Sequence, residues 1–514
     1  MHASFDRKVL YVIFLIVLVN AVLLYSLNLL PFVDTPSHLA EAAIYKYRGD
    51  ASYPLGAYYT AVPWYYPNTF HTVFCSLFPT VEFGNKTFYV LYILGLHLSM
   101  FYVIRELKGN QWYGLLAVLF LYGYNVTYGF SGFAIAIPTT LFLFAVILKD
   151  IQQERLRYKG GAAFLLILLY LMHAQMALFG LVLYGALMVY RYWRSPVKLI
   201  ANGLLVSLPV IILVIVWWLN RVPAVPTSEE VSTSSYLYKW YKNAYLPEFF
   251  LRFRLPLFDN FTLRAGLPGL VIAGFLFALI LVPILYFKAW KNISKQQVLN
   301  SNLTYALIFL AISLACYLIL PHKLPGQGPL YERFSTIVVL ALILSGSVLL
   351  RDVRAPLLRY FVLGATILYM GLWTEYFYSF NKDSKDFNPE FFSGIPQDAK
   401  LGGLIYGYTF RGRAPYMHFP NYYIVWNKGI AASKIIDYRF GVVRRGIKGD
   451  EIPPFNEWIG KDYRVEKAYD STLHYFLVKG KASAVPDSNL LHATLIKEAG
   501  DWKLYSNNRL PPNP

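Results

Sequence analysis

The chain has 514 residues, of which 56% are hydrophobic and only 15% charged, well below the roughly 25% charged residues of an ordinary soluble protein. Its net charge of +18 does not point to nucleic acid, because the basic residues lie between long apolar runs, where the bias of basic loops toward one membrane face accounts for them. The two cysteines, Cys75 and Cys316, exclude a disulfide framework and a zinc site, since Cys316 lies inside an apolar run and no metal-ligand spacing exists.

Runs of roughly 17–25 apolar residues cross a bilayer as helices. The sequence predicts about eleven such spans, near 9–30, 87–104, 112–127, 131–148, 161–175, 177–190, 199–219, 267–287, 303–320, 335–350 and 358–378. The first is as long as a full span and no A-x-A-like site follows it, so it reads as a retained helix rather than a cleaved leader. Basic groups fall on one side if the spans alternate: Arg7 and Lys8, Arg105 and Lys108, the stretch 149–159, Arg191, Arg194 and Lys198, Lys288, Lys291 and Lys295, and Arg351 and Arg354. That side is expected to be cytoplasmic and to hold the N-terminus. The segment 31–86, the loops 220–266 and 321–334, and everything after about 379 then face outward.

The tail is polar and punctuated by Pro and Gly, with short β-rich runs at 401–407, 422–426, 473–479 and 493–497. The last is followed by Gly500 and Asp501 and then 502–505, the pattern of a closing hairpin. The fold class is therefore a polytopic α-helical membrane protein. Residues 1–379 form the transmembrane module, and 380–514 a small extracytoplasmic mixed α/β domain.

Charges beside an apolar core are expensive and mark sites to examine. The first outer segment opens with PFVDTPSHLAE over residues 31–41. Asp34 or Thr35 can cap a helix whose first turn holds Pro36. His38, Glu41 and Tyr45 then recur along one stripe. Two readings of Asp34 stand side by side here: a helix cap and nothing more, or a reactive carboxylate at the membrane surface. The rest of the segment is aromatic, including Trp64, Tyr65, Tyr66, Phe70 and His71, which suits interfacial anchoring and also stacking on sugar rings or polyprenyl chains.

A second cluster, HKLPGQGPLYERF, covers 322–334. Lys323 and Arg333 can clamp a phosphate, with His322 and Glu332 beside them. The alternative is that Arg333 snorkels at its helix end or pairs with Glu332. His173 and Gln175 interrupt a long apolar run, the ordinary place for an interhelical hydrogen bond and also for a site residue. Arg252, Arg254 and Arg264 add positive charge to another outer loop. No Walker A loop, dinucleotide fingerprint, G-x-S-x-G elbow or H-E-x-x-H is present. The first outer segment also lacks a D-x-D pair, so no cofactor is expected and a divalent metal is not indicated.

The order of four motifs resembles the GT-C superfamily of integral membrane glycosyltransferases, which includes protein O-mannosyltransferases, oligosaccharyltransferases and lipid A aminoarabinose transferases. DTPSHL from Asp34 is similar to the D-x-P-x-H-L that follows span 1 in its bacterial and archaeal members. YGFSGFAIAIP over 128–138, the pair Met172-His173, and Glu332-Arg333-Phe334 complete the likeness. The resemblance covers essentially the whole chain. It implies a polyprenyl-phosphate sugar as donor, a glycan, lipid or protein acceptor, and an acidic base in the first outer loop. Only Asp34 matches that base. His38 and Arg333 are carried over as site residues, and Glu41, His173, His322, Lys323 and Glu332 join them as candidates for substrate or phosphate binding. Asp34 has no acidic neighbour before Glu41, a departure from members that keep two acids together. Two other functions use the same features: a transporter or flippase for a lipid-linked saccharide, and a non-catalytic subunit of an envelope-assembly machine.

Overall fold

The computed structural model describes residues 6–220, 252, 260, 267–286, 301–322, 328–351, 353, 356–433, 435, 441–453, 472–480 and 492–510. Lys323, Arg254 and Arg264 lie outside the described residues.

Helix α1 (Arg7–Ser26) starts at Asp6, whose carboxylate accepts from the Lys8 amide at 3.0 Å and from the Trp112 indole at 2.8 Å. The first outer segment, so called because it is expected to face outward, holds α2 (Thr35–Tyr47), α3 (Leu55–Tyr58), β1 (Tyr59–Ala61) and α4 (Phe70–Ser76). There follow α5 (Val81–Glu106), α6 (Gln111–Gly114), a 3-10 helix (Leu115–Phe120), α7 (Tyr124–Thr127), α8 (Ser131–Gln153), α9 (Leu156–Met172), α10 (Ala174–Tyr192) and α11 (Pro196–Asn220). The bundle continues with α12 (Leu267–Tyr286), α13 (Ser301–Ile319), α14 (Phe334–Leu349) and α15 (Pro356–Asp383).

Seven of the described helices are long and apolar enough to cross a membrane: α1, α5, α8, α10, α11, α13 and α15. The chain is thus a polytopic helical membrane protein. Of the other four expected spans, three differ in form. The stretch 161–175 falls in α9, of 17 residues, whose start carries Arg157 and Lys159. The stretch 335–350 falls in α14, of 16 residues, while 267–287 coincides with α12, 20 residues that are apolar along their length.

The span expected at 112–127 is broken into α6, the 3-10 helix and α7. A six-residue 3-10 run is long for its kind. Packing explains it. Every residue from Leu115 to Phe120 is at most 2% exposed, so the segment is wrapped by other helices and does not meet lipid. At Gly114 an added Cβ would stand 2.2 Å from Ile104 Cδ1, so the segment packs closely on α5.

The bundle has two distinct ends. Helix α8 has 23 residues, about 35 Å at 1.5 Å per residue. Its start abuts Asp34 through Gly129, and its far end carries Lys149 and Asp150. Arg105, Lys149, Lys159, Arg191 and Lys198 gather at that far end, held to Glu106, Asp150 and Glu154, and Arg7 joins them next to Asp6, which accepts from Trp112.

The tail forms a five-stranded mixed sheet in the order β3-β2-β5-β7-β6, from β2 (Lys400–Ile405), β3 (Ile430–Ala431), β5 (Tyr475–Lys479), β6 (Ala493–Ala499) and β7 (Trp502–Asn507). β2 lies parallel to both β3 and β5, and the expected closing hairpin is β6 paired antiparallel with β7. The run 422–426, expected to be a strand, is instead helical, α16 (Tyr422–Asn427). Tyr422, Tyr423, Ile424 and Val425 are all buried, so burial gave no period to read, and Lys428 ends the helix at φ 57°.

The tail and the first outer segment share one apolar core. Leu39, Ile44, Leu55 and Tyr59 pack in it with Phe392, Leu404, Phe419 and Trp502. β1 pairs antiparallel with β4 (Val443–Arg445), Tyr59 opposite Arg445. The buried Tyr59 hydroxyl donates to the Ala431 carbonyl at 3.2 Å and accepts from the Ala431 amide at 3.1 Å.

Candidate active site

Asp34 occupies the position before α2, with Pro36 in the first turn, yet its side chain makes no capping hydrogen bond. Its backbone is helical, at φ −87° and ψ 0°, whereas a capping side chain needs an extended residue to reach the second or third amide. The carboxylate is therefore left for other partners. Its Oδ1 lies 3.3 Å from Nε2 of His418, a tail residue whose side chain is 2% exposed, while Asp34 keeps 29% exposure.

The backbone around Asp34 is fixed by one loop. The Val33 and Asp34 amides donate to the Thr127 and Tyr128 carbonyls, each at 3.1 Å. Gly129 follows at φ +83°, and a Cβ there would stand 2.6 Å from the Asp34 nitrogen. Both the left-handed backbone and the close approach demand glycine.

The same loop holds Arg333. The Asn125 amide group donates to the Arg333 carbonyl at 2.9 Å and to Thr336 Oγ1 at 3.1 Å. The guanidinium lies over the Phe130 ring, 4.0 Å from its centre, a cation–π geometry. Nη1 of Arg333 is 2.8 Å from Nε2 of His173. A guanidinium only donates, so His173 accepts there and carries its proton on Nδ1, which is buried without a partner among the described residues. His173 thus joins the α9–α10 turn to Arg333. The Asp34 carboxylate is near enough to act electrostatically on the Arg333 guanidinium.

On α2, His38 Nδ1 bonds Glu41 Oε2 at 2.9 Å. Burial works against the charged form of His38, but the hydrogen bond and charge of Glu41, then the charge of Asp34, outweigh it and raise its pKa. The His38 ring meets that of His71 edge-on, 5.4 Å between centres. His71 Nε2 bonds Asn85 Oδ1 at 2.9 Å. Burial, reinforced by His38, pushes His71 down to about 3, so it stays neutral.

Asp34, His38, Glu41, His71 and His418 thus form one cluster, and Arg333 with His173 a second beside it. His322 and Glu332 form a separate pair: Nδ1 of the exposed His322 contacts Oε1 of the buried Glu332. No described contact links that pair to Asp34. Arg252, read as a source of outer charge, is 4% exposed and donates through Nη1 to the carbonyls of Tyr317 and Leu320 at 3.3 and 3.1 Å. It caps the end of α13.

Sequence reasoning missed two tail residues. One is His418. The other is Arg413, which donates to Thr127 Oγ1 at 2.8 Å in the loop behind Asp34. The segment RGRAPYMHFP over 411–420 carried the one available signal, cations and a histidine among turn residues. An apolar cavity of about 150 Å³ lies behind the cluster, lined by Phe70, Phe74, Phe88, Ile135, Pro138 and Met172 among others. It adjoins His71 through α4 and His173 through the end of α9. No family model matches this chain, and no match was found among curated proteins.

Proposed function

We propose that the protein is a GT-C-type membrane glycosyltransferase that moves a sugar from a polyprenyl-phosphate donor to an acceptor hydroxyl, with Asp34 as the base. The observation that carries this reading is the uncapped Asp34 carboxylate, held by the 124–130 loop that also holds Arg333. A base and a cation fixed by one rigid loop are what an inverting transfer needs.

In that transfer the acceptor oxygen attacks the anomeric carbon and forms the new glycosidic bond. Asp34 takes the hydroxyl proton. The bond from the anomeric carbon to the phosphate oxygen breaks, and its electron pair leaves with the polyprenyl phosphate, so no acid is required. Arg333 stabilises charge growing on that phosphate. His173 positions the guanidinium, and His418 steadies the Asp34 carboxylate. The cavity behind α4 supports a lipid tail lying between α5 and α8, with the phosphate emerging toward Arg333. Lys323 belongs to the same proposal as a second phosphate partner. All eleven apolar segments would lie within the bilayer, with the basic end cytoplasmic and Asp34 on the outer face.

The test is transfer by purified Asp34→Asn protein from a radiolabelled polyprenyl-phosphate sugar. Loss of a general base slows such a step about 100-fold or more, with donor binding retained. Transfer at the wild-type rate removes Asp34 from the role.

A further inference from the structure

At the end of the bundle opposite Asp34, a cavity of about 390 Å³ is lined by Arg105, Lys149, Gln153, Arg155, Arg157 and Tyr158. It lies where α5 and α8 end and α9 begins. Four of its six lining residues are cations. Each carboxylate at this end is already engaged, and Glu106 offsets part of the charge of two lining cations. Glu106 is 2.7 Å from Arg105 and 3.6 Å from Lys149. Asp150 is held by Lys159 at 2.9 Å. Glu154 turns to the next loop, toward Arg191 at 3.9 Å and Lys198 at 3.6 Å. Among the described residues, neither Arg155 nor Arg157 has a carboxylate within ion-pair distance, and both are exposed.

The cations are also arranged rather than scattered. Lys149 lies over the Tyr102 ring at 4.6 Å, and Arg157 over the Tyr158 ring at 4.8 Å with Nη2 on the Tyr158 hydroxyl at 2.8 Å. Aromatic faces hold the long side chains around the cavity. The first turn of α9 contains no acidic residue, and Arg155 before it provides no capping side chain. Like charges are thus concentrated where a helix start already favours an anion.

We infer that this cavity binds the phosphate headgroup of an anionic phospholipid. The shared chemistry is a phosphate oxyanion among guanidinium forks. Two observations select a lipid over free phosphate. At about 30 Å³ for each water-sized group, 390 Å³ takes on the order of ten heavy atoms, room for a phosphodiester and its polyol. On α9, whose start lines the cavity, Leu156 and Phe164 are 71% and 58% exposed, apolar surface for acyl chains. This site is independent of the Asp34 chemistry.

The experiment uses the full chain, delipidated in detergent and titrated with phosphatidylglycerol, phosphatidylcholine or inorganic phosphate, with retained ligand read by native mass spectrometry. The expected result is at least about tenfold preference for phosphatidylglycerol over phosphatidylcholine, and about tenfold weaker retention in Arg155→Ala/Arg157→Ala. The pair Arg155→Lys/Arg157→Lys keeps most of the binding, and Arg194→Ala/Lys198→Ala, at the same end, leaves it unchanged. Equal retention of the two lipids by the wild-type protein overturns the proposal, whatever the variants do. So does undiminished phosphatidylglycerol binding by the double alanine variant. Displacement of the lipid by millimolar phosphate overturns the lipid assignment in favour of the free anion.

Discussion

Asp34 was legible in the sequence because a charge beside an apolar run is conspicuous, and Arg333 for the same reason. Their surroundings were not. His418 reaches Asp34 only because the tail folds back over the first outer segment, and no local pattern reports such a return. His71 illustrates the opposite case, a residue visible among aromatics whose environment gives it a testable property. Its pKa is depressed to about 3 from the usual 6.5, so it folds neutral. Its stabilising effect is full above the unfolded value and is lost as pH falls from about 6.5 toward about 3. Linkage puts the loss between pH 7 and pH 5 at about 2 kcal/mol. His38 opposes it: a raised pKa gives stability that is present below the unfolded value and lost as pH rises through the folded one. Thermal melts at pH 7 and pH 5 should therefore fall less steeply for His71→Gln than for the wild type. An equally steep fall in the variant would assign the acid sensitivity to another group.

At the scale of the element, the 124–130 loop matters more than any helix, because it fixes Asp34 through two amides and Arg333 through Asn125 and Phe130. Gly129→Ala forces a side chain onto the Asp34 backbone from a left-handed residue. It should lower stability by about 1–3 kcal/mol and slow the proposed transfer, while far-ultraviolet circular dichroism keeps its helical signature. Wild-type transfer by this variant would show that the loop does not set the proposed base. The motif YGFSG was visible in the sequence, but its partners were not. Elements misjudged from sequence share one cause. The 112–127 stretch and residues 422–425 are buried on all sides, so apolar residues crowd successive positions and neither a helical nor a strand period emerges.

For the whole molecule, hydropathy read the spans well wherever a helix keeps a lipid-facing side, as in α1 and α11, which are mostly exposed along their length. It overstated regularity where helices cover one another. The placement of basic groups at one end and Asp34 at the other follows from the same alternation. In a Cys75→Ser/Cys316→Ser background, Arg157→Cys and Tyr408→Cys should react with an impermeant maleimide from opposite faces of sealed vesicles, Tyr408 being 41% exposed. Labelling of both from one face would break the alternation.

The core shared by the first outer segment and the tail also has a consequence in time. Asn421 donates to Ser37 at 3.0 Å across 384 positions of chain. At about 5–20 residues per second of synthesis, the ribosome takes about 20–80 s to travel from one to the other. Throughout that interval the segment carrying Asp34 waits without the half that buries it. A nascent chain arrested in the bundle would have its helices and its loop but no His418, and the cluster around Asp34 would be complete only once residue 418 arrives.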